Sequence, residues 1–326
     1  MALEKRRLGT TDLELSTLGF GSWAIGGADW AYGWGPQDDE SSIATILRAV
    51  SGGVNWIDTA AIYGLGHSET VVGRALQRIP ASERPYVFTK CGMEVDPANP
   101  RGEPSRNLQP AFIRKECEAS LRRLGVDCID LYQFHWPDAL GTPVEDSWGT
   151  MAELVSEGKV RTIGVSNFSP DLLERVAKVR KVDSVQPPFS PLARASADAI
   201  IPWAKAHGAG VIAYSPLGSG ILTSAFSAAR AKALAPDDWR RRAASFQEPA
   251  LTRNLVIRAG LLTIAERFGC DVSAIALSWV LNWRGVTAAM VGVRRHDPVH
   301  GWLQTKDVKL SAADLEEIGR LLNTPN

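Results

Sequence analysis

The sequence predicts a (β/α)8 TIM barrel, and three observations carry that expectation. Eight short apolar, β-branched or aromatic runs recur along 326 residues, helical stretches separate them, and no linker or composition break divides the chain. Alternation of strand and helix favours parallel pairing through right-handed crossovers. Eight such units over about 300 residues suit closure better than an open sheet. An open doubly wound sheet is the alternative, because periodicity alone does not show closure. The chain is expected to form one domain over residues 1–326.

The elements follow in order. The first residues read as an N-terminal β-hairpin, residues 6–9 and 13–15 around a Thr10-Thr11-Asp12 turn. The eight strand runs lie at residues 18–21, 55–58, 86–90, 129–135, 162–166, 184–186, 210–214 and 288–292. A helix is expected from Pro110 to Gly125, with Ile113, Cys117, Leu121 and Leu124 recurring at helical spacing. Another opens with Ser169 as hydroxyl N-cap and Pro170 at the first helical position, and turns Leu173, Val176 and Ala177 inward. A third covers residues 148–155 and stops at Gly158. Residues 215–249, with Pro216, Gly218, Gly220, Pro236 and Pro249, form a long loop after the seventh strand. Loops of that length tend to be functional or disordered, and in a barrel this one leaves the active-site face.

Charge and cysteine content exclude several classes. Lys+Arg and Asp+Glu both number 36, so a nucleic-acid partner, which calls for a basic excess, is not expected. Cys91, Cys117, Cys128 and Cys270 form no Cys-x-x-Cys and no metal-ligand spacing. Reduced thiols and a cytoplasmic location are the expectation. Neither a secretory h-region at the start nor an apolar run long enough to span a membrane is read in the sequence.

Polar groups recur just after the strands: Trp23, Asp58 with Tyr63, Lys90, His135, Ser166 with Asn167, Gln186, Tyr214 with Ser215, and Arg294 with Arg295. Each alone has an ordinary structural explanation. Asp58 suits a turn or cap, Lys90 a solvated strand end, His135 a packed core position. Their co-occurrence at successive strand ends is what predicts convergence on one rim.

The segments Asp58-Thr-Ala-Ala-Ile-Tyr63-Gly, Phe88-Thr-Lys90, Asp130-Leu-Tyr-Gln-Phe-His135-Trp-Pro-Asp138, Ile163-Gly-Val-Ser-Asn-Phe168, Tyr214-Ser-Pro-Leu217 and Val291-Gly-Val-Arg-Arg295 resemble those of the aldo-keto reductase superfamily. The resemblance runs in order over nearly the whole chain. Gly21-Ser-Trp-Ala-Ile-Gly-Gly27 and the His-Trp-Pro-Asp run are similar to the bacterial general-stress and inositol-operon-type branch.

The resemblance implies an NADP(H)-dependent oxidoreductase that interconverts aldehydes or ketones and alcohols. The cofactor would lie extended, without a Rossmann fold, and no Gly-x-Gly-x-x-Gly joins a strand to a helix here. The implied catalytic residues are Tyr63, Lys90, Asp58 and His135. Reduction by hydride needs a proton for the forming alkoxide, and a tyrosine is a weak donor at its usual pKa of about 10. A lysine ammonium beside it favours the phenolate, an aspartate holds the lysine, and a histidine orients the carbonyl.

The implied cofactor contacts are Ser22, Trp23, Asp58, Ser166, Asn167, Gln186, Tyr214, Ser215, Leu217, Gly218, Gly220, Gly292, Arg294 and Arg295. Ser166, Asn167 and Gln186 would hold the carboxamide, Tyr214 would stack on the nicotinamide ring, and the glycines after Tyr214 would cradle the pyrophosphate. Arg294 and Arg295 sit where the family holds the adenosine 2′-phosphate, for which guanidinium is suited. The sequence departs from the family next, reading His296-Asp-Pro298-Val-His300-Gly301-Trp302 in place of a proline, a glutamine or arginine, and a Glu-Asn. Stacking of the adenine on His296 or Trp302 is the expected substitute.

Trp23, Trp30 and Trp136 are expected to wall the substrate pocket, with Tyr32 and Trp34 in the same loop as Trp23. Residues 239–242, Trp-Arg-Arg-Arg, read equally as a ligand contact or a solvated basic turn. No metal is expected, because His135 is the only histidine at a strand end. The alternative reading is a cofactor-binding regulatory barrel resembling potassium-channel β-subunits. Substrate identity, direction and oligomeric state are not legible in the sequence.

Overall fold

Each strand run carries side chains that alternate between two faces, and in the computed structural model both faces are covered. The structure describes residues 3–294 and 297–323. Strands β1 (Lys5–Arg7) and β2 (Glu14–Ser16) pair antiparallel as the expected hairpin. The barrel then runs through β3 (Leu18–Gly21), β4 (Trp56–Asp58) and β5 (Tyr86–Cys91). A small antiparallel pair follows, β6 (Met93–Glu94) and β7 (Ser105–Arg106). The barrel resumes with β8 (Ile129–Phe134), β9 (Val160–Ser166), β10 (Ser184–Gln186), β11 (Gly210–Ala213) and β12 (Ala288–Gly292). Parallel pairing of β12 with β3, Ala289 against Leu18 through Gly292 against Gly21, closes the eight-stranded ring.

Helices α1 (Asp39–Ser51), α2 (His67–Gln77), α3 (Pro110–Leu124), α4 (Val144–Ser156), α5 (Pro170–Val179) and α6 (Ile200–Ala206) connect successive strands. Local chemistry sets their ends. Ser169 accepts from the Leu172 amide and Pro170 opens α5, while Gly125 ends α3 at φ +66°. Helix α4 begins at Val144, a turn before the expected start, behind Pro143. The long segment after β11 is not bare loop. It contains the short helix α7 (Ala228–Lys232) and several 3-10 turns before α8 (Ala250–Phe268) and α9 (Val272–Asn282). Helices α10 (Asp297–Leu303) and α11 (Ala312–Leu322) follow β12.

The hairpin seals one end of the barrel. Leu8, Leu13 and Leu15 are fully buried against Trp56, Phe88, Leu131, Ile212 and Ala288. Each such leucine stabilises the fold by about 1.5–3 kcal/mol. Trp56 Nε1 donates to the Ser16 carbonyl at 2.8 Å. Gly19 makes room for that indole, since a Cβ there would lie 2.1 Å from its ring. The opposite end stays available for chemistry.

Candidate active site

Strand periodicity places the polar groups. Two residues beyond the floor residue on the same face, Trp56 gives Asp58, Phe88 gives Lys90 and Leu131 gives Gln133. His135 follows at the end of β8, and Tyr63 stands in the turn after β4, where its amide bonds to the Ala60 carbonyl.

These side chains meet. Lys90 Nζ donates to Asp58 Oδ1, to the Thr59 carbonyl at 2.9 Å and to Tyr63 Oη at 3.4 Å. Asp58 Oδ2 accepts from Gln186 Nε2 at 2.8 Å and from Gln133 Nε2 at 3.4 Å. The Tyr63 and His135 rings meet edge to face with centroids 5.5 Å apart. Lys90 and Asp58 are sealed from solvent, whereas Tyr63 and His135 reach the cleft above them.

Electrostatics follow from that burial. Burial works against the Lys90 charge, but Asp58 and Tyr63 outweigh it and hold the ammonium above its ordinary range. Burial pushes the Asp58 carboxyl up while Lys90, Gln186 and Gln133 pull it down, and with three donors on two oxygens it is the ionised partner of that ammonium. For Tyr63 burial raises the phenol above its ordinary value of 10.0, and the downward pull of Lys90 does not cancel it. Lys90 thus pulls the phenol down in the expected direction, and burial outweighs that pull. Desolvation at this depth costs the phenolate more than one cation at 3.4 Å returns. Burial and then Lys90 hold His135 well below 6.5, so its imidazole is neutral, and its buried Nδ1 has no partner among the described residues.

Above this cluster lies a cleft of about 650 Å3. Trp23, Trp30, Tyr32 and Trp34 form one wall, and Met93 and Trp136 line it as well. Gly21 and Gly292, paired across the barrel closure, are also in the lining. Ser166, Asn167, Gln186 and Tyr214 line the cleft beside His135, and Ser215, Leu217, Ser219 and Gly220 line it farther along. Asn167, at φ +60°, donates to the His135 carbonyl at 3.0 Å and accepts from Tyr214 Oη at 2.9 Å. Ser166 Oγ donates to the Gln186 carbonyl at 2.8 Å. Ser215, Gly218, Ser219 and Gly220 all have positive φ, an unusual run for a turn holding two serines. The turn spends its own amides, Gly218 N–H on the Ser215 carbonyl at 2.9 Å and Gly220 N–H on the Leu217 carbonyl at 3.1 Å. Trp302 lines the same cleft, and its buried Nε1 lacks a partner among the described residues.

Several expected contacts lie elsewhere. Ser22 is fully buried and accepts from Ser68 Oγ at 2.7 Å, so it faces the packing of α2 and not the cleft. A Cβ on Gly218 would come within 2.7 Å of Leu192, placing that glycine behind the lining. Asp58 sits beneath Tyr63 and Lys90, out of reach of the cleft. Arg294 is committed to the loop after β3. It donates to Gln37 Oε1 at 3.0 Å, Trp34 O at 2.7 Å and Pro36 O at 2.5 Å. Arg295 and His296 lie outside the described residues.

Other features escaped the sequence reading. Gln133 bonds to Asp58 although period-two alternation between Leu131 and His135 points to it. Trp239 stacks on Trp23 at 4.7 Å, a contact between distant segments. The β6–β7 pair brings Arg106 to the cleft, over the Trp136 ring at 4.4 Å. Among the described residues no three His, Cys, Asp or Glu side chains gather as a metal site, and no helix is long and apolar enough to cross a membrane.

A model of the aldo/keto reductase family matches residues 17–323. The chain belongs to that family. It is 34% identical over 321 residues to the NADH-specific methylglyoxal reductase of Escherichia coli (strain K12), covering 96% of both proteins. It is 33% identical over 321 residues to the aldo-keto reductase YhdN of Bacillus subtilis (strain 168), covering 98% of this chain and 94% of that protein. Among solved structures, the glycerol dehydrogenase AKR11B4 from Gluconobacter oxydans matches with TM-score 0.88 and 37% identity over 99% of this chain and 96% of that one. This aldo/keto reductase is thus an oxidoreductase of a nicotinamide-dependent family, and its strand-end cluster opens into the cleft described above.

Proposed function

We propose that this enzyme reduces small aldehydes or ketones to alcohols, reversibly, with Tyr63 as proton donor. The observation that carries this reading is the buried chain Asp58–Lys90–Tyr63, which ends on a phenol facing His135 in the cleft.

The cleft fits a nicotinamide dinucleotide. The Ser215 and Ser219 hydroxyls and the Cβ-free Gly220 in its lining suit the pyrophosphate, and Trp302 Nε1, without a partner among the described residues, offers a further donor. Ser166, Asn167 and Gln186 would hold the carboxamide, Gln186 through the oxygen end left by its bond to Asp58. Tyr214 would pack on the ring, Ser215, Leu217 and Gly220 would serve the phosphates, and Gly21 and Gly292 would leave the lining open for close approach. When bound, the cofactor supplies the hydride.

Tyr63 and His135 orient the substrate by hydrogen bonds to its carbonyl oxygen. Tyr63 Oη passes its proton to that oxygen as the carbon takes the hydride. The phenolate left behind faces the Lys90 ammonium, which Asp58 and the Thr59 carbonyl keep in place. Neutral His135 donates an N–H without competing for the proton. The tryptophan wall would shield a bound substrate from water, which strengthens these interactions.

The expectation of NADP(H) rests on the family resemblance, with Arg294 and Arg295 at the 2′-phosphate position. With Arg294 bonded to the loop after β3, and with a relative named as NADH-specific, we propose that NADH serves at least as well as NADPH. Two relatives are named for methylglyoxal and glycerol, so short oxygenated carbonyls and their alcohols are the first substrates to try. The four free cysteines suit a cytoplasmic location, and we read the barrel as one domain. The test follows the absorbance of both reduced cofactors with methylglyoxal, glyceraldehyde and dihydroxyacetone, and of both oxidised cofactors with glycerol. Absence of turnover with every pair overturns the reading.

A further inference from the structure

The cleft lining contains two acids and two arginines whose partners differ. Glu103 accepts from the Tyr32 hydroxyl. Asp271 caps α9 and accepts from Ser273 and Ser224. Neither Arg106 nor Arg230 has a side-chain hydrogen bond or ion pair among the described residues. Arg230 stands on α7, in the part of the chain that also brings Thr223 and Ala225 to the lining. Arg106 lies instead over the ring of Trp136, the residue that follows His135.

Its position is built by three elements. Strand β7 holds its backbone opposite Met93 of β6, and its carbonyl accepts from the Ala139 amide at 3.0 Å. The guanidinium lies 4.4 Å from the Trp136 ring, and Trp136 directly follows His135. Stacking on an aromatic face fixes the plane of a guanidinium while leaving its edge N–H donors available. Arg242, which donates to the Ala31 carbonyl, adds positive charge near Tyr32. Glu103 is the acid on this side of the cleft, and Tyr32 already engages it.

We propose that Arg106 is the specificity-determining residue for substrates that carry an anion, a carboxylate above all, on the carbon skeleton away from the reacting carbonyl. The carbonyl lies at Tyr63 and His135, the apolar body of the substrate lies along Trp30 and Trp136, and the carboxylate pairs with the Arg106 guanidinium. Arg106 is an exposed residue of the lining, so the pair draws on charge-assisted, bidentate hydrogen bonding to a guanidinium held on Trp136 and not on desolvation. This assignment rests on the reductase reading of the same cleft, and its test separates the two.

The test compares 4-carboxybenzaldehyde with the neutral 4-formylbenzamide in wild type, Arg106→Lys and Arg106→Met. Methionine keeps an apolar stem on Trp136 without the charge. The wild-type ratio of kcat/KM, acid over amide, is expected to fall at least tenfold in Arg106→Met, mainly through KM of the acid. It is expected to fall less in Arg106→Lys, while the amide stays within threefold throughout. Comparing ratios between variants cancels the intrinsic reactivity of the two aldehydes. Calorimetric titration with benzoate, which has no reducible carbonyl, reads the same site without turnover. Benzoate is expected to bind wild type at least tenfold more tightly than Arg106→Met. If no carbonyl is turned over and benzoate still shows that difference, the reductase reading fails and the anion site stands. An unchanged acid-to-amide ratio, or equal benzoate binding by wild type and Arg106→Met, overturns the proposal.

Discussion

Lys90 Nζ lies 3.4 Å from Tyr63 Oη while the Asp58 carboxylate and the Thr59 carbonyl anchor it from behind. The ammonium thus has one direction left in which to act, toward the phenol. Tyr63→Phe keeps the ring that packs against Trp30 and His135 but removes the proton. Turnover is expected to drop by about two to four orders of magnitude, the usual worth of a general acid. Cofactor binding, read by fluorescence titration, should persist. Lys90→Met should lose activity to a similar extent, because the phenolate then forms in a buried site without its counter-charge. Wild-type kcat in either variant would remove the residue from the mechanism.

The pH profile follows from the directions of two shifts. In reduction the reactive form of Tyr63 is the protonated phenol. Its pKa lies above the ordinary 10.0, so the proton stays in place through neutral pH and is lost only as pH rises past that raised value. His135 is held well below 6.5, so it remains neutral as pH falls through 6.5. Reductive kcat at saturating cofactor is therefore expected to be flat between about pH 6 and 9. An inflection centred near neutrality in steady-state rates would assign control to a different group.

The barrel was legible because its evidence is local. All eight strand runs fall within two residues of their expected bounds, and the hairpin strands form at 5–7 and 14–16 against the expected 6–9 and 13–15, since each run reports its own burial. Asp58, Lys90 and His135 were legible for the same reason: a strand end fixes where its last side chains point. What depended on distant segments was not. Arg294 reads as a 2′-phosphate ligand until the Trp34–Gln37 segment closes around it from the other end of the chain. Ser22 reads as a rim hydroxyl until Ser68 of α2 packs on it. The net direction of the Tyr63 shift depends on burial, which residue identity does not report.

Arg294 gives the sharpest test of cofactor choice. Its guanidinium serves the loop that carries Trp34, so Arg294→Ala is expected to remove structural support and not a 2′-phosphate contact. The ratio of NADPH to NADH affinity is expected to stay within twofold of wild type, while stability falls by about 1–2 kcal/mol. Wild type is expected to show kcat/KM with NADH equal to or above that with NADPH. Fluorescence titration of both cofactors and a denaturant melt measure this. A selective tenfold loss for NADPH would return Arg294 to the 2′-phosphate.

Trp239 links the long segment after β11 to the wall of the substrate cleft. Its ring stacks on Trp23 at 4.7 Å and meets Trp34 edge to face at 5.8 Å, and Trp23 in turn stacks against Tyr63 at 6.2 Å. The next residue, Arg240, lies over Trp34 at 4.4 Å and is held by Asp238. The segment therefore backs the aromatic wall from outside, because Trp239 itself is not part of the lining. Trp239→Ala takes away one stacked pair and one edge contact, each worth about 0.5–1.5 kcal/mol beyond burial. Trp23 then loses the support that fixes its plane beside Tyr63. Looser walls hold a substrate less well but leave Lys90, Asp58 and the phenol in place. The expected result is a KM for carbonyl substrates raised about three- to thirtyfold, with kcat within threefold of wild type. Steady-state kinetics with the best substrate of the panel decides. A collapse of kcat at unchanged KM would mean that the segment acts on Tyr63 and not on the wall.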